Sequence, residues 1–179
     1  VPVSTATDYY ESAEANLYMW AVGDDYWETS DAGLQDDDNV GYARGDNYHP
    51  ENSHVIPALI RRFHEAKLNG DESVIVWGSG NVRREFLFAD DLADACVFLM
   101  NIPKAVFWSK VDRRCSHVNV GYGEDVTIRE LAELIKAVVG FEGKLVFDSS
   151  RPDGTPRKLL QTSRMKSFGW TPNTSLRQG

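Results

Sequence analysis

The 42 residues from Pro50 to Asp91, PENSHVIPALIRRFHEAKLNGDESVIVWGSGNVRREFLFADD, constrain the fold more than any other stretch of this chain. Apolar residues at helical spacing run from about Val55 to Lys67, and Asn69-Gly70 supplies the stop. Asn52 or Ser53 is placed to cap that helix, with Pro57 tolerated in its first turn. Val74 to Trp77 reads as a short buried strand and Gly78-Ser79-Gly80-Asn81 as a turn. Arg84 to Ala89 reads as a second strand, and Asp90 opens a helix with Leu92, Ala95, Cys96 and Leu99 on one face. An apolar interior with one cationic and aromatic edge suits a flat, anionic ligand. A nucleoside diphosphate fits that description better than a protein surface does.

The rest of the chain repeats the alternation. Ile102 to Arg114 reads as a connection and His117 to Gly121 as a strand. Thr127 and Glu130 form a capping box, Val126 and Leu131 occupy the staple positions, and Gly140 ends the helix. Its apolar face is Ile128, Leu131, Leu134, Ile135 and Val138. A strand over Lys144–Asp148, a polar loop over Ser149–Lys158 and a short helix over Ser163–Phe168 complete the order. Helices alternating with short strands predict an α/β fold.

Charge divides the chain into two parts. The formal net charge is -8, yet residues 1–38 hold ten acidic residues and no Lys or Arg, leaving seventeen acidic against nineteen basic in the remainder. Residues 1–38 read as an acidic, aromatic leader, poorly ordered or with one short helix over Ser12–Val22. Residues 39–179 form the folded region, and its slightly basic local balance decides what it attracts. Cys96 and Cys115 form no Cys-x-x-Cys pair, so neither a disulfide framework nor a metal knuckle is indicated. No apolar run approaches the roughly 20 residues a membrane span needs. A soluble, cytoplasmic protein that binds neither nucleic acid nor membrane is expected.

Several side chains are suited to chemistry. Arginine presents a planar fork that matches two phosphate oxygens, so the Arg61-Arg62 and Arg83-Arg84 pairs draw attention. Only one member of each pair can face a given site, and Arg62 and Arg84 are selected. A single arginine is more often a solvated one. Trp77 ends a strand at a Gly-Ser-Gly turn, where its ring can stack on a base or sugar; a core tryptophan is an equal reading. His54 can move protons near neutral pH, though a lone histidine ahead of a helix more often caps it or lies on the surface. In the loop, Asp153 can accept hydrogen bonds from a ribose or base edge, and Lys158 can meet a phosphate. Pro-Asp-Gly by itself would be only a turn.

Two motifs are absent. Gly78-x-Gly80 and Gly121-x-Gly123 both lack the third glycine of a dinucleotide loop, and no tyrosine is followed four residues later by lysine. Against this background, NSHVIPALIRRFHEAK, VWGSGNVRREFLFADDLADA, HVNVGYGEDVTIRELAELI and KLVFDSSRPDGTPRKLL resemble the C-terminal half of the GDP-L-fucose synthase family. These are NADP-dependent GDP-4-keto-6-deoxy-mannose epimerase/reductases of the extended short-chain dehydrogenase superfamily. The resemblance runs from about Asp46 to Gly179, and the leader shows none of its own.

The resemblance implies a Rossmann-like fold with a substrate-binding subdomain, from which the N-terminal nucleotide-binding half would be missing. It implies that His54 matches the histidine that shares proton transfer with a cysteine during epimerisation. It places Arg62, Trp77, Arg84, Asp153 and Lys158 where that family holds the GDP-sugar. NADP(H) is the implied cofactor, with its main binding motif absent and its binding residues unassigned; a homodimer is the implied assembly. Neither Cys96 nor Cys115 matches the family's cysteine. A catalytic fragment, a non-catalytic GDP-sugar-binding module and a different nucleotide-sugar epimerase or dehydratase are the readings in contention. Strands 118–121 and 145–148 are expected to lie beside a parallel sheet supplied by the other half.

Overall fold

A computed structural model describes residues 41–179. The expected leader helix over Ser12–Val22 lies outside the described residues. In chain order the elements begin with β1 (Gly41–Tyr42), α1 (Val55–Asn69), β2 (Ser73–Trp77), β3 (Arg83–Glu85), β4 (Leu87–Phe88), α2 (Ala89–Asn101) and α3 (Lys104–Lys110). They continue with β5 (Asp125–Thr127), α4 (Ile128–Val139), β6 (Lys144–Asp148), β7 (Arg157–Lys158) and α5 (Ser163–Phe168). The α/β alternation is therefore present. The described residues fall into two compact units of interleaved sequence: Tyr42–Glu85, Glu124–Leu159 and Leu176–Gly179 in one, and Gly41, Phe86–Gly123 and Leu160–Ser175 in the other.

The first of these units is layered. β2 and β6 run parallel in full register, from Ser73 opposite Lys144 to Trp77 opposite Asp148. Val74 and Val76 are buried while Ser73, Ile75 and Trp77 are exposed, so the strand is covered on one face only. Its buried side chains share a core with Leu59, Phe63 and Ala66 of α1 and with Leu131, Ala132 and Ile135 of α4. Phe63 and Phe141 meet with ring centroids 5.7 Å apart. Among the described residues the strand expected at 145–148 takes β2 as its partner. A second sheet places β3 between antiparallel β5 and parallel β7.

Local signals set the helix ends. Thr127 Oγ1 accepts from Glu130 N at 3.1 Å, and Thr127 N donates to Glu130 Oε2 at 2.7 Å, which closes the capping box. Ala132 joins the buried face of α4, whereas Val138 is exposed. α1 ends at Gly70 in the left-handed region, φ 71°. Its N-cap is His54 rather than Asn52 or Ser53, and no side chain caps it. Asn52 is engaged two residues earlier, where its carbonyl and side-chain oxygens accept from Asn47 Nδ2.

The other unit packs β4, α2, α3 and α5 around Leu87, Ala95, Leu99, Phe107, Val118, Met165 and Trp170. The expected connection after Ile102 contains helix α3, seeded by bonds from Val106 N and Phe107 N to Pro103 O and held by buried Phe107. The expected strand over 117–121 does not form. Val118 and Val120 are fully buried, but Arg164 Nη1 takes the carbonyls of Cys115 and His117, so part of this backbone is satisfied by a side chain instead of a ladder. The expected strand over Arg84–Ala89 divides into β3 and β4 on either side of Phe86. Among the described residues no single helix is long and apolar enough to cross a membrane, and α2 and α3 are bent by 108° at the break between them.

Candidate functional site

Because β2 and β6 are parallel and in register, both strands end at the same edge, with Trp77 beside Asp148. Trp77 leaves 55% of its surface in solvent, which removes the core reading. The Arg62 guanidinium, carried by α1, lies 4.8 Å from its ring centroid. Arg62 Nη1 also points to Ile75 O at 3.4 Å. Burial, and then the neighbouring Arg61 charge, lower the Arg62 pKa. Arg151 lies 5.1 Å from the same ring.

The turn after Trp77 is held by the loop that follows β6. Gly78 N donates to Asp148 O at 2.9 Å, and Ser79 N donates to Asp153 Oδ1 at 2.6 Å. These Ser79 bonds, the backbone one foremost, hold the Asp153 carboxyl below its ordinary range. On the other side Arg129 N donates to Gly80 O at 2.9 Å and Arg129 Nη2 to Ser79 O at 3.0 Å. Two glycines are required here. At Gly80, φ is 78° and a Cβ would stand 2.4 Å from the Phe147 ring; at Gly78, φ is 83° and a Cβ would stand 2.5 Å from Asp153 Oδ1.

Further along the same loop, Thr155 O accepts from Arg84 Nη1 at 2.7 Å, and Arg84 Nη1 also reaches Arg83 O at 2.9 Å. The loop then enters β7, which sets Lys158 in register with Arg84 and Arg157 in register with Arg83. Register partners share a face of a sheet, so each row places two cations side by side. Asp125 of β5 bridges one row: its Oδ1 accepts from Arg83 Nε at 2.7 Å and its Oδ2 from Arg157 Nε. The Arg157 bond first, and then that of Arg83, hold the Asp125 carboxyl below the ordinary range, while the Asp125 bond raises Arg83.

One loop thus touches Arg62's partner Trp77 through Arg151, the Gly78–Ser79 turn through Asp153, and Arg84 through Thr155, and it ends on Lys158. Of the selected residues, Arg62 and Trp77 are in contact, Arg84 and Lys158 are neighbours across a strand pair, and Asp153 accepts from Ser79 N through Oδ1. The hydrogen bond gives Asp153 a structural role that the sequence reading did not foresee. His54 stands at the head of α1, two helical turns or about 12 Å before Arg62, with its carbonyl accepting from Ala58 N at 2.9 Å. The sequence reading overlooked Arg151 and the Asp125 clamp. The β2–β6 register would have revealed Arg151, because it brings residues just after Asp148 alongside Trp77.

A cavity of about 380 Å³ lies elsewhere in this unit, lined by apolar residues including Ile56, Pro57 and Ile60 of α1 and Leu131, Leu134 and Val138 of α4. It includes none of the selected side chains. A dinucleotide does not fit the Gly78–Gly80 turn. The Gly78 and Ser79 amides are engaged by Asp148 and Asp153, and the space beside Gly80 is filled by Phe147. A phosphate there would find no inward-facing cradle of backbone N–H groups.

The profile of the NAD dependent epimerase/dehydratase family matches residues 16–121. The match begins inside the acidic leader, so the absence of any resemblance there is corrected. The chain is 61% identical over 138 residues to GDP-L-fucose synthase 1 of Arabidopsis thaliana, which covers 77% of this chain and 40% of that protein. It is 52% identical over 138 residues to GDP-L-fucose synthase of Escherichia coli K12, covering 77% of this chain and 43% of the relative. Among solved structures it is similar to a GDP-D-glycero-L-gluco-heptose synthase from Campylobacter jejuni crystallised in the presence of NADPH. That likeness has a TM-score of 0.67 and 33% identity, over 79% of this chain and 48% of that one. The chain spans about 40% of the length of the curated relatives it matches.

Proposed function

We propose, on the premise that this chain belongs to the NAD dependent epimerase/dehydratase family, that it is the nucleotide-sugar-binding part of a GDP-L-fucose synthase. In this reading the whole protein converts GDP-4-dehydro-6-deoxy-D-mannose to GDP-L-fucose by epimerisation followed by reduction. The observation that carries the reading is the single loop, Ser149–Lys158, that meets Trp77 through Arg151 and Arg84 through Thr155 and ends on Lys158. Arg62 and Trp77 hold the base or sugar plane. Arg84 and Lys158, side by side in register, hold the diphosphate, and the two carbonyls on Arg84 Nη1 orient its fork before the ligand arrives. Asp153 fixes the turn that presents Trp77, and by resemblance it also reaches the GDP-sugar.

His54 serves epimerisation. Inverting a carbon beside a ketone requires a proton to leave one face and return on the other, and an imidazole can donate or accept it. The relatives' dependence on a nicotinamide cofactor implies a hydride donor for the reduction. The Gly78–Gly80 turn does not fit that donor, and no reductive step is assigned to it. That misfit also favours a second reading, in which the chain binds a GDP-sugar and performs no reduction. A cytoplasmic homodimer goes with the first reading.

Calorimetric titration with GDP-mannose and separately with NADPH tests both. GDP-mannose binding that Arg84→Ala reduces at least tenfold supports the nucleotide-sugar site. Absence of GDP-mannose binding by the unaltered chain sinks it. NADPH binding would remove the second reading, and tighter binding of UDP- or dTDP-sugars would replace the fucose synthase assignment with another nucleotide-sugar enzyme.

A further inference from the structure

The Trp77 indole is shared by two cations, and they are held very differently. Arg62 approaches from α1, is half-buried, and points Nη1 to Ile75 O at 3.4 Å. Arg151 approaches from the loop and is exposed. Among the described residues its guanidinium makes no hydrogen bond or ion pair; it lies 5.1 Å from the ring centroid, and its charge helps to lower the pKa of Asp148, after the bonds from Ser150. What is fixed is its backbone. Arg151 N donates to Asp148 O at 3.2 Å, and the turn is tightened by Ser150 N and Oγ donating to Asp148 Oδ1 at 3.0 and 2.6 Å. The Trp77–Asp148 register sets this turn directly beside the indole.

Two like charges over one ring repel each other, and a flat aromatic ligand that stacks on a face covered by a cation displaces that cation. Arg62 is fixed by burial. Arg151 has an anchored backbone, an exposed side chain and five N–H donors.

We propose that Arg151 is a further ligand-binding residue: the base of the bound nucleotide takes its place on Trp77, and its guanidinium moves onto the diphosphate. The inference rests on the reading of this edge as a guanine-nucleotide site and adds to it a residue and an order of events. Arg151 covers the indole in the empty site and clamps the anion in the filled one. A lysine at this position would keep the charge but lose the planar fork that spans two oxygens.

The experiment titrates the full chain with GDP and with guanosine, using the unaltered protein, Arg151→Ala and Arg151→Lys. Unchanged near-ultraviolet circular dichroism serves as the control for folding. Arg151→Ala is expected to weaken GDP about tenfold, the scale of one lost charge-assisted contact, while guanosine binds as well as before or better. Arg151→Lys is expected to recover part of the GDP affinity. Equal GDP affinity in the unaltered and alanine proteins would overturn the inference and leave the site reading intact. Equal losses for GDP and guanosine would overturn it too, making Arg151 a mere support for the indole. Absence of GDP binding by the unaltered protein would sink the site reading, and this inference with it.

Discussion

Two rows of cations cross the same pair of strands, and one of them is bridged by a carboxylate. Arg83 and Arg157 face each other with Asp125 between them, a carboxylate left only 4% exposed. Arg83 reaches it diagonally, since its own partner on β5 is Thr127. Arg83 Nη2 adds a bond to Asp125 O at 2.9 Å. Arg84 and Lys158 face each other one residue along, where strand alternation turns side chains to the other face. There Arg84 Nη1 donates to the backbone carbonyls of Arg83 and Thr155.

The largest effect that would break this comparison comes from Asp125→Ala. It leaves two guanidiniums in register without the carboxylate between them. The thermal midpoint is expected to fall by roughly 5 °C; a fall under about 1 °C would show the clamp to be ornamental. The same contribution can be removed by acid. The Asp125 carboxyl titrates below its ordinary range in the folded chain, so its stabilisation is complete above the unfolded value of about 3.9 and disappears as pH falls through the lowered folded value. Urea midpoints from pH 6 down to pH 3 should therefore drop less steeply for Asp125→Ala than for the unaltered chain. Some slope should persist, because Glu130 and Asp153 are also held low by their bonds to Thr127 and Ser79.

A smaller effect sharpens the account of the loop. Asp153→Ala removes the acceptor from Ser79 N and should lower the midpoint by about 2 °C, while Asp153→Asn keeps an oxygen in place and should cost about half of that or less. Equal losses for the two would mean that the charge, not the hydrogen bond, holds the turn. The smallest change in stability is expected for Arg84→Ala, about 1 °C by the same scaling, alongside its large effect on GDP-mannose binding. A loss comparable to that of Asp125→Ala would erase the distinction between the two rows.

Much of this was legible in the sequence. The capping box at Thr127, the stops at Gly70 and Gly140, and the strand at 144–148 follow from local rules that involve residues a few positions apart. Selecting Arg62, Trp77, Arg84, Asp153 and Lys158 needed only their chemistry and the family resemblance. Local rules failed where a distant group intervened. The strand expected at 117–121 does not form, and Arg164 takes the His117 carbonyl at its start, while β5 and β7 formed inside stretches with no strand period because β3 offered each an edge.

By itself, then, the sequence determined the α/β alternation, the helix ends and the kinds of side chain available for an anionic, aromatic ligand, since each depends on neighbours along the chain. Only the tertiary structure decided that Arg83, and not Arg84, is the arginine of its pair bound to Asp125, and that Arg62, and not Arg61, lies against Trp77. It also decided that Asp153 holds a turn, and that Arg151 shares Trp77 with Arg62. Those outcomes depend on the register of β2 with β6 and of β3 with β7, pairings between residues about seventy positions apart. No local propensity encodes such a register; the burial of one face and the closure of one loop select it.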